Sequence, residues 1–344
     1  MAATAAEHGP TVSVLLPISG PAPYLADAVD SILNQTFRAF ELLIIIDDGA
    51  GEEAEKLIRR FTDSRIRVVR HDSSRGDRAT LAESVDVARG TYVAFMATDG
   101  VANPERLARQ VAFLDAHPDH AAVSAWVDWV DEGGHRRRTK RKPVAADEVA
   151  ARRLFRSGIE HVAAVARTAV LREHLGAAAH VGSGDFDLWS RIAARHKLAN
   201  LPEILLTRHH MAGAAADPEQ RRVERGAVYG LQLTELGIAF TDEDLQRHFL
   251  LRRMRKERFA PDRAYLAWAD AWLRNLQAAN ARTHAYPEPV FSEVLGTYWV
   301  KVCWHGSRRI GRRAAWRAFR ASPLRRWAWP GLKRQIFRRW TGSF

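Results

Sequence analysis

The stretch Phe40–Asp47, FELLIIID, is a near-continuous apolar run. A strand that reads this way has to be covered on both faces, as central strands of parallel sheets are. Similar runs stand at Thr11–Pro17 (TVSVLLP), at Ile66–Arg70 (IRVVR) and at Tyr92–Ala97 (YVAFMA). Segments with helical spacing separate them: Tyr24–Gln35, Glu52–Phe61 and Thr80–Arg89. Pro104–Ala116, with proline in its first turn, follows the last run. Strands alternating with helices of this length imply crossover connections and a mostly parallel, Rossmann-like α/β sheet.

A second section, about Ala121–Arg208, opens with the strand-like AVSAWVDWVD and continues into a basic stretch, GGHRRRTKRK, read as a loop. From about Pro218 the pattern is mainly helical. The expected organisation is an α/β domain over residues 1–215 and a helical, basic, Trp-rich region over residues 216–344. With 47% hydrophobic and 27% charged residues, the chain has the composition of a globular protein rather than a disordered one. One cysteine, Cys303, allows no internal disulfide and fits a reducing compartment. No basic-then-apolar leader opens the sequence, and no run approaches the roughly 20 apolar residues of a membrane span. The expected location is cytoplasmic.

In an open parallel sheet, ligands gather at the carboxyl ends of the strands. Asp47-Asp48-Gly49 follows the second apolar run, and Thr98-Asp99-Gly100 follows YVAFMA. An Asp at a strand end often only starts a turn. Two at successive exits also suit a cation or a nucleotide.

These stretches resemble the family-2 inverting glycosyltransferases of the GT-A fold. PYLADAVDSILNQTFRAFELLIIIDDGA is similar to the family's opening helix, strand and base-binding turn. YVAFMATDGVANPERLARQVAFLDAHPD is similar to its metal-binding strand end. GSGDFDLWSRIA is similar to the segment carrying the catalytic base. The resemblance covers about Val12–Gly213. It implies that Asp48 accepts from the nucleotide base, that Asp47 supports that turn, and that Pro17, Arg78 and Thr98 also lie at the nucleotide. It implies that Asp99 holds Mn²⁺ or Mg²⁺ on the diphosphate, with His210 of the Arg208–His210 pair as a further ligand and His209 as its rival. It implies Asp185 as general base and a direct, inverting displacement. Trp189, one helical turn on, can line an acceptor pocket or simply pack in the core. Asp187 reads as a first-turn helix acid.

The departures are specific. Ala97 replaces the first Asp of the usual D-x-D, Gly100 stands where another Asp is common, and Gly184 precedes the base in place of Glu. Leu81 and Ala82 stand where the family often has Arg–Asn, leaving Arg75 or Arg78 for the diphosphate. The implied partners are a nucleotide-sugar donor, with uridine diphosphate as the nucleotide, and a glycan or lipid-linked acceptor. The alternatives are a catalytically weak scaffold in a polysaccharide-assembly complex and a nucleotidyltransferase on a similar sheet.

The net charge of +12 belongs to the tail. Val294–Phe344 holds no Asp or Glu and thirteen Lys or Arg, with six of the eleven tryptophans. A helix over residues 308–321 would put Arg309, Arg312, Arg313, Arg317 and Arg320 on one side. Leu332, Ile336 and Trp340 form a second apolar stripe. Basic amphipathic helices with Trp suit an anionic membrane surface. The expectation is peripheral attachment at the inner face of the cell membrane, without nucleic-acid binding. A packed helical subdomain with solvated arginines is the competing explanation.

Overall fold

The computed structural model describes residues 9–46, 51–70, 77–176, 184–210 and 218–341. The strands are β1 (Val12–Ile18), β2 (Phe40–Ile46), β3 (Ile66–Arg70), β4 (Tyr92–Phe95), β5 (Gly100–Ala102), β6 (His120–Val130), β7 (Arg136–Lys140), β8 (Val165–Arg167) and β9 (Lys197–His209). They form one mixed sheet in the order β3-β2-β1-β4-β8-β6-β9-β5, with β7 paired to β6. The first four strands pair in parallel, as do β6 and β9; the other pairings are antiparallel. All seven residues of β2 are buried, as its composition demands.

Helices α1 (Leu25–Leu33), α2 (Gly51–Ile58), α3 (Asp77–Val87) and α4 (Arg106–Ala116) connect the first strands. Helix α1 buries Leu25, Ala28, Val29 and Ile32, spaced so that one face meets the sheet. Gly90 admits the chain beside β1: a Cβ there would sit 2.5 Å from the Ser13 amide nitrogen.

Farther along come α5 (Ala146–Arg152), α6 (Thr168–Gly176) and α7 (Gly184–Arg195). They are followed by α8 (Pro218–Glu235), α9 (Asp242–Arg253), α10 (Arg263–Thr283), α11 (Val290–Ile310), α12 (Arg312–Ala321) and α13 (Arg325–Thr341). The chain divides into two compact units. The α/β unit comprises Met1–Ala145, Ile159–Ala179 and Arg195–Ala214; the helical unit comprises Ala146–Gly158, His180–Ala194 and Ala215–Phe344. The helical unit is thus discontinuous in sequence, and Asp185 belongs to it.

The helical unit has its own core, in which Leu273, Leu276, Leu295, Trp299 and Val302 are fully or almost fully buried. Thr241 and Asp244 close a reciprocal capping box at the start of α9. Helices α11 and α13 touch backbone to backbone at two glycines. A Cβ on Gly296 would lie 2.6 Å from the Trp327 carbonyl carbon, and one on Gly331 would lie 2.5 Å from the Glu293 carbonyl oxygen.

Two local expectations are corrected. The basic stretch after β6 is not a loop, because Arg136–Lys140 pairs antiparallel with β6 as β7. Its side chains are exposed or half-buried, so charge does not prevent pairing. The helix expected over residues 308–321 is two helices, since Gly311, at φ 84°, ends α11 and starts α12. Arg309 and Ile310 therefore belong to α11, not to the arginine-lined helix after it.

Candidate functional site

Strands β1, β2 and β4 run parallel, so their carboxyl ends share one edge of the sheet. Pro17 is exposed near the end of β1. Asp47 and Asp48 follow β2 but lie outside the described residues. Arg78 is on α3, and its side chain, like the whole of Arg75, is outside them too.

Asp99 sits in the turn between β4 and β5, closed by the Gly100 amide donating to the Ala97 carbonyl at 3.0 Å. Its neighbour Thr98 is half-buried. The segment is braced from below. Arg106, fully buried on α4, donates to the Phe95 carbonyl at 2.6 Å and to the Val162 carbonyl at 3.3 Å. Burial pulls its guanidinium down to about 10, which leaves it charged at neutral pH. Gln35, also fully buried, donates to the Asn103 carbonyl and accepts from the Leu107 amide. The Ser31 hydroxyl accepts from the Ala102 amide. Residues after β4 are therefore held by α1 and α4 together.

Asp99 is only 8% exposed, and its carboxylate is gripped by the Arg208 fork. Arg208 Nε donates to Oδ1 at 2.9 Å and a terminal nitrogen donates to Oδ2 at 2.7 Å. Such two-point pairs fix geometry as well as charge. The pair exists because β9 runs beside β5, with Gly100 opposite Arg208 and the His209 amide donating to the Asp99 carbonyl at 2.8 Å. Trp129 on β6 lies opposite Arg208 on one side and Arg138 of β7 on the other. Both guanidinium groups approach its ring, at 4.7 and 5.0 Å from the centroid. Glu160 adds negative charge nearby. Its burial opposes ionisation, but Lys142, Lys140 and Arg208 outweigh that and hold its carboxyl below the usual range.

The two histidines diverge. His209 stacks on Tyr24, ring centroids 3.9 Å apart, and its Nδ1 has no hydrogen-bond partner among the described residues. His210 is exposed and sits edge-on to the Trp129 ring, centroids 6.4 Å apart. Gly100 cannot readily become the second acid common in the resembling family. A Cβ there meets the Ala97 carbonyl, Leu206 and Met96 at 3.2 to 3.3 Å.

The residues near Asp99 can be tested against a divalent ion. A hard cation on a diphosphate needs one or two protein carboxylates, the phosphates supplying the rest. Asp99 meets that minimum with one carboxylate at the sheet edge, and His210 stands at the end of the adjoining strand. Arg208 occupies the same oxygens, so an ion and this guanidinium compete for Asp99. Ala97 contributes no donor.

In the helical unit, Asp185 is exposed in the first turn of α7, directly after Gly184 at φ 21°. Asp187 is buried and accepts from Arg191 Nε at 3.3 Å, so it acts within the fold. Trp189 is corrected: at 1% exposure it is a core side chain and presents no face to an acceptor. Its spacing from Asp185 is that of a buried helix stripe, shared with Phe186 and Ile192.

Residues 13–175 match Glycosyl transferase family 2. An uncharacterized glycosyltransferase of Methanocaldococcus jannaschii is 27% identical over 202 residues, covering 57% of this chain and 70% of that one. The amylovoran biosynthesis glycosyltransferase AmsE of Erwinia amylovora is 26% identical over 238 residues, 67% of this chain and 87% of that one. Among solved structures, residues 1–349 of S. aureus TarS, in complex with UDP-GlcNAc, align with a TM-score of 0.55 at 16% identity. That alignment covers 90% of this chain and 92% of the other, and it shows a shared fold.

Proposed function

We propose that this chain, whose residues 13–175 match glycosyl transferase family 2, is a glycosyltransferase that moves a sugar from a nucleoside diphosphate to a glycan or lipid-linked acceptor with inversion. The observation that carries the reading is Asp99, a nearly buried carboxylate held by Arg208 at the carboxyl edge of the sheet. TarS, of similar fold, was solved with UDP-GlcNAc, which supports a uridine diphosphate sugar as donor. AmsE, named for amylovoran biosynthesis, supports a role in polysaccharide assembly. Activity at the inner face of a cell membrane fits a lipid-linked acceptor.

In this reading Asp48 reads the base, Asp47 shapes its turn, and Pro17 and Thr98 flank the nucleotide, with Arg78 directed at the diphosphate. Mn²⁺ or Mg²⁺, held by Asp99 and His210, would supply positive charge as the diphosphate departs. Without the ion, Arg208 holds the Asp99 carboxylate in place. Its guanidinium offers the diphosphate a second cationic contact. Asp185 takes the proton of the attacking acceptor hydroxyl. A carboxylate open to solvent at a helix start is accessible for that task.

A second reading is a catalytically weak scaffold. Ala97, Gly100, Leu81 and Ala82 favour it, as does the neutralisation of Asp99 by Arg208. Nucleoside diphosphate release from UDP- and GDP-sugars, with and without Mn²⁺, separates the two. Metal-stimulated release supports transfer. Nucleotide binding without release supports the scaffold, and pyrophosphate as product would indicate nucleotidyl transfer instead.

A further inference from the structure

Helices α11, α12 and α13 enclose a groove of about 1140 Å³, above the roughly 300–1,000 Å³ usual for a small-molecule site. Its floor is apolar: Cys303, Ala315 and Ala328 line it and are buried. Around it stand three tryptophans, Trp304, Trp316 and Trp329, at 70%, 58% and 62% exposure. An exposed indole is a costly choice in water, and three lining one groove need a partner surface. Arg308, Arg312 and Arg325 also line it and are exposed. Among the described residues, no carboxylate lies within ion-pair distance of these three. The nearby pair of Arg309 with Asp262, at 3.5 Å, involves a neighbouring arginine that does not line the groove.

An apolar trough with a cationic margin and indoles at its lip matches one kind of occupant. Tryptophan favours the boundary between hydrocarbon and water. The arginines call for an anion at that same boundary. A protein partner would have to bring both acid and apolar surface, whereas an anionic lipid carries both in one molecule. We propose that this groove binds a single anionic phospholipid of a bilayer, one acyl chain along the floor and the phosphate on Arg308, Arg312 and Arg325. The inference rests on the membrane-face part of the reading above and names the lipid and the residues. No helix among the described residues is long and apolar enough to cross a membrane. Attachment through this groove would therefore be peripheral.

The test uses the full chain and sedimentation with two vesicle types, phosphatidylcholine alone and phosphatidylcholine mixed with phosphatidylglycerol. The expected result is binding to the mixed vesicles only. Replacing Arg308, Arg312 and Arg325 together by Gln should weaken that binding on the order of a hundredfold, at about 1 kcal/mol per cation near an anionic surface. These side chains are exposed, so the variant should fold. Ala315→Trp should fill the floor and weaken binding at unchanged charge, with its far-ultraviolet circular dichroism checked against the parent. A well-folded Ala315→Trp that binds as the parent does, together with an unaffected arginine variant, overturns the groove while leaving attachment standing. Absence of binding to mixed vesicles at low salt overturns both. Self-association lost on Ala315→Trp, without vesicle binding, would assign the groove to a second copy and likewise overturns the proposal.

Discussion

Charges in the α/β unit come in matched sets, at the candidate site and away from it. Arg208 closes on Asp99, Lys140 reaches Glu160 at 2.5 Å, and Arg67 reaches Glu41 at 2.6 Å. Among the described arginine side chains of the last three helices, only Arg309 meets a carboxylate, and Trp304, Trp316 and Trp329 face outward while Trp299 lies in the core. A two-point charge pair fixes geometry as well as charge, and fixed geometry is what a nucleotide site requires. An unpaired cation on a surface keeps its field available to something outside the protein. The difference suggests two jobs in one chain, recognition of a small anion in the sheet and of an extended anionic surface in the helices.

The largest expected effect separates chemistry from binding. Asp185→Asn should lower transfer by about 10²–10⁴-fold, the usual cost of losing a general base. Nucleotide affinity should stay unchanged, because the base acts on the acceptor. A rate close to the parent's would remove Asp185 from the mechanism.

The next effect concerns the helical unit in acid. His248 is buried in the helical unit, its Nδ1 accepting from Trp272 at 3.0 Å and its Nε2 donating to the Leu154 carbonyl at 2.9 Å. Burial holds it neutral and lowers its pKa to about 4. The unfolded chain therefore binds the extra proton first, and stability falls as pH drops from the ordinary value of 6.5 toward 4. A shift of that size corresponds to roughly 3 kcal/mol. Unfolding followed by tryptophan fluorescence should show this loss in the parent and a flatter profile in His248→Gln. Identical profiles would assign the acid sensitivity elsewhere.

A smaller effect concerns the helix crossing that shapes the groove. Gly331→Ala forces a methyl against the Glu293 carbonyl and should cost about 1–3 kcal/mol, as overpacking does. Thermal unfolding measures it. An unchanged melting temperature would mean that α13 does not pack on α11 as described.

Much of the α/β architecture was legible because buried strands announce themselves. FELLIIID can only be covered on both sides, and YVAFMA leads straight into the Asp99 turn. Strand β7 was hidden because RRRTK carries no apolar alternation; it pairs with β6 through the backbone ladder and polar side-chain contacts such as Thr139 with Asp128. The Arg208–Asp99 pair was hidden for another reason. Its members are 109 positions apart, and only the pairing of β5 with β9 brings them together. Arg106 and Gln35 likewise look like ordinary helix-surface polar residues in sequence, and only the fold shows them buried as braces. Trp189 illustrates the reverse: one helical turn from an exposed acid reads equally as pocket or core, and burial decides for the core.

The central claim is that a nucleoside diphosphate is held at the Asp99 edge of the sheet with the help of a divalent ion. Calorimetric titration of UDP, with and without Mn²⁺, into the parent and into Asp99→Asn tests it most directly. The account predicts that Mn²⁺ tightens UDP binding to the parent by tenfold or more and leaves the variant's weaker affinity unaffected. Equal affinities for parent and variant, in both the presence and the absence of Mn²⁺, would contradict it.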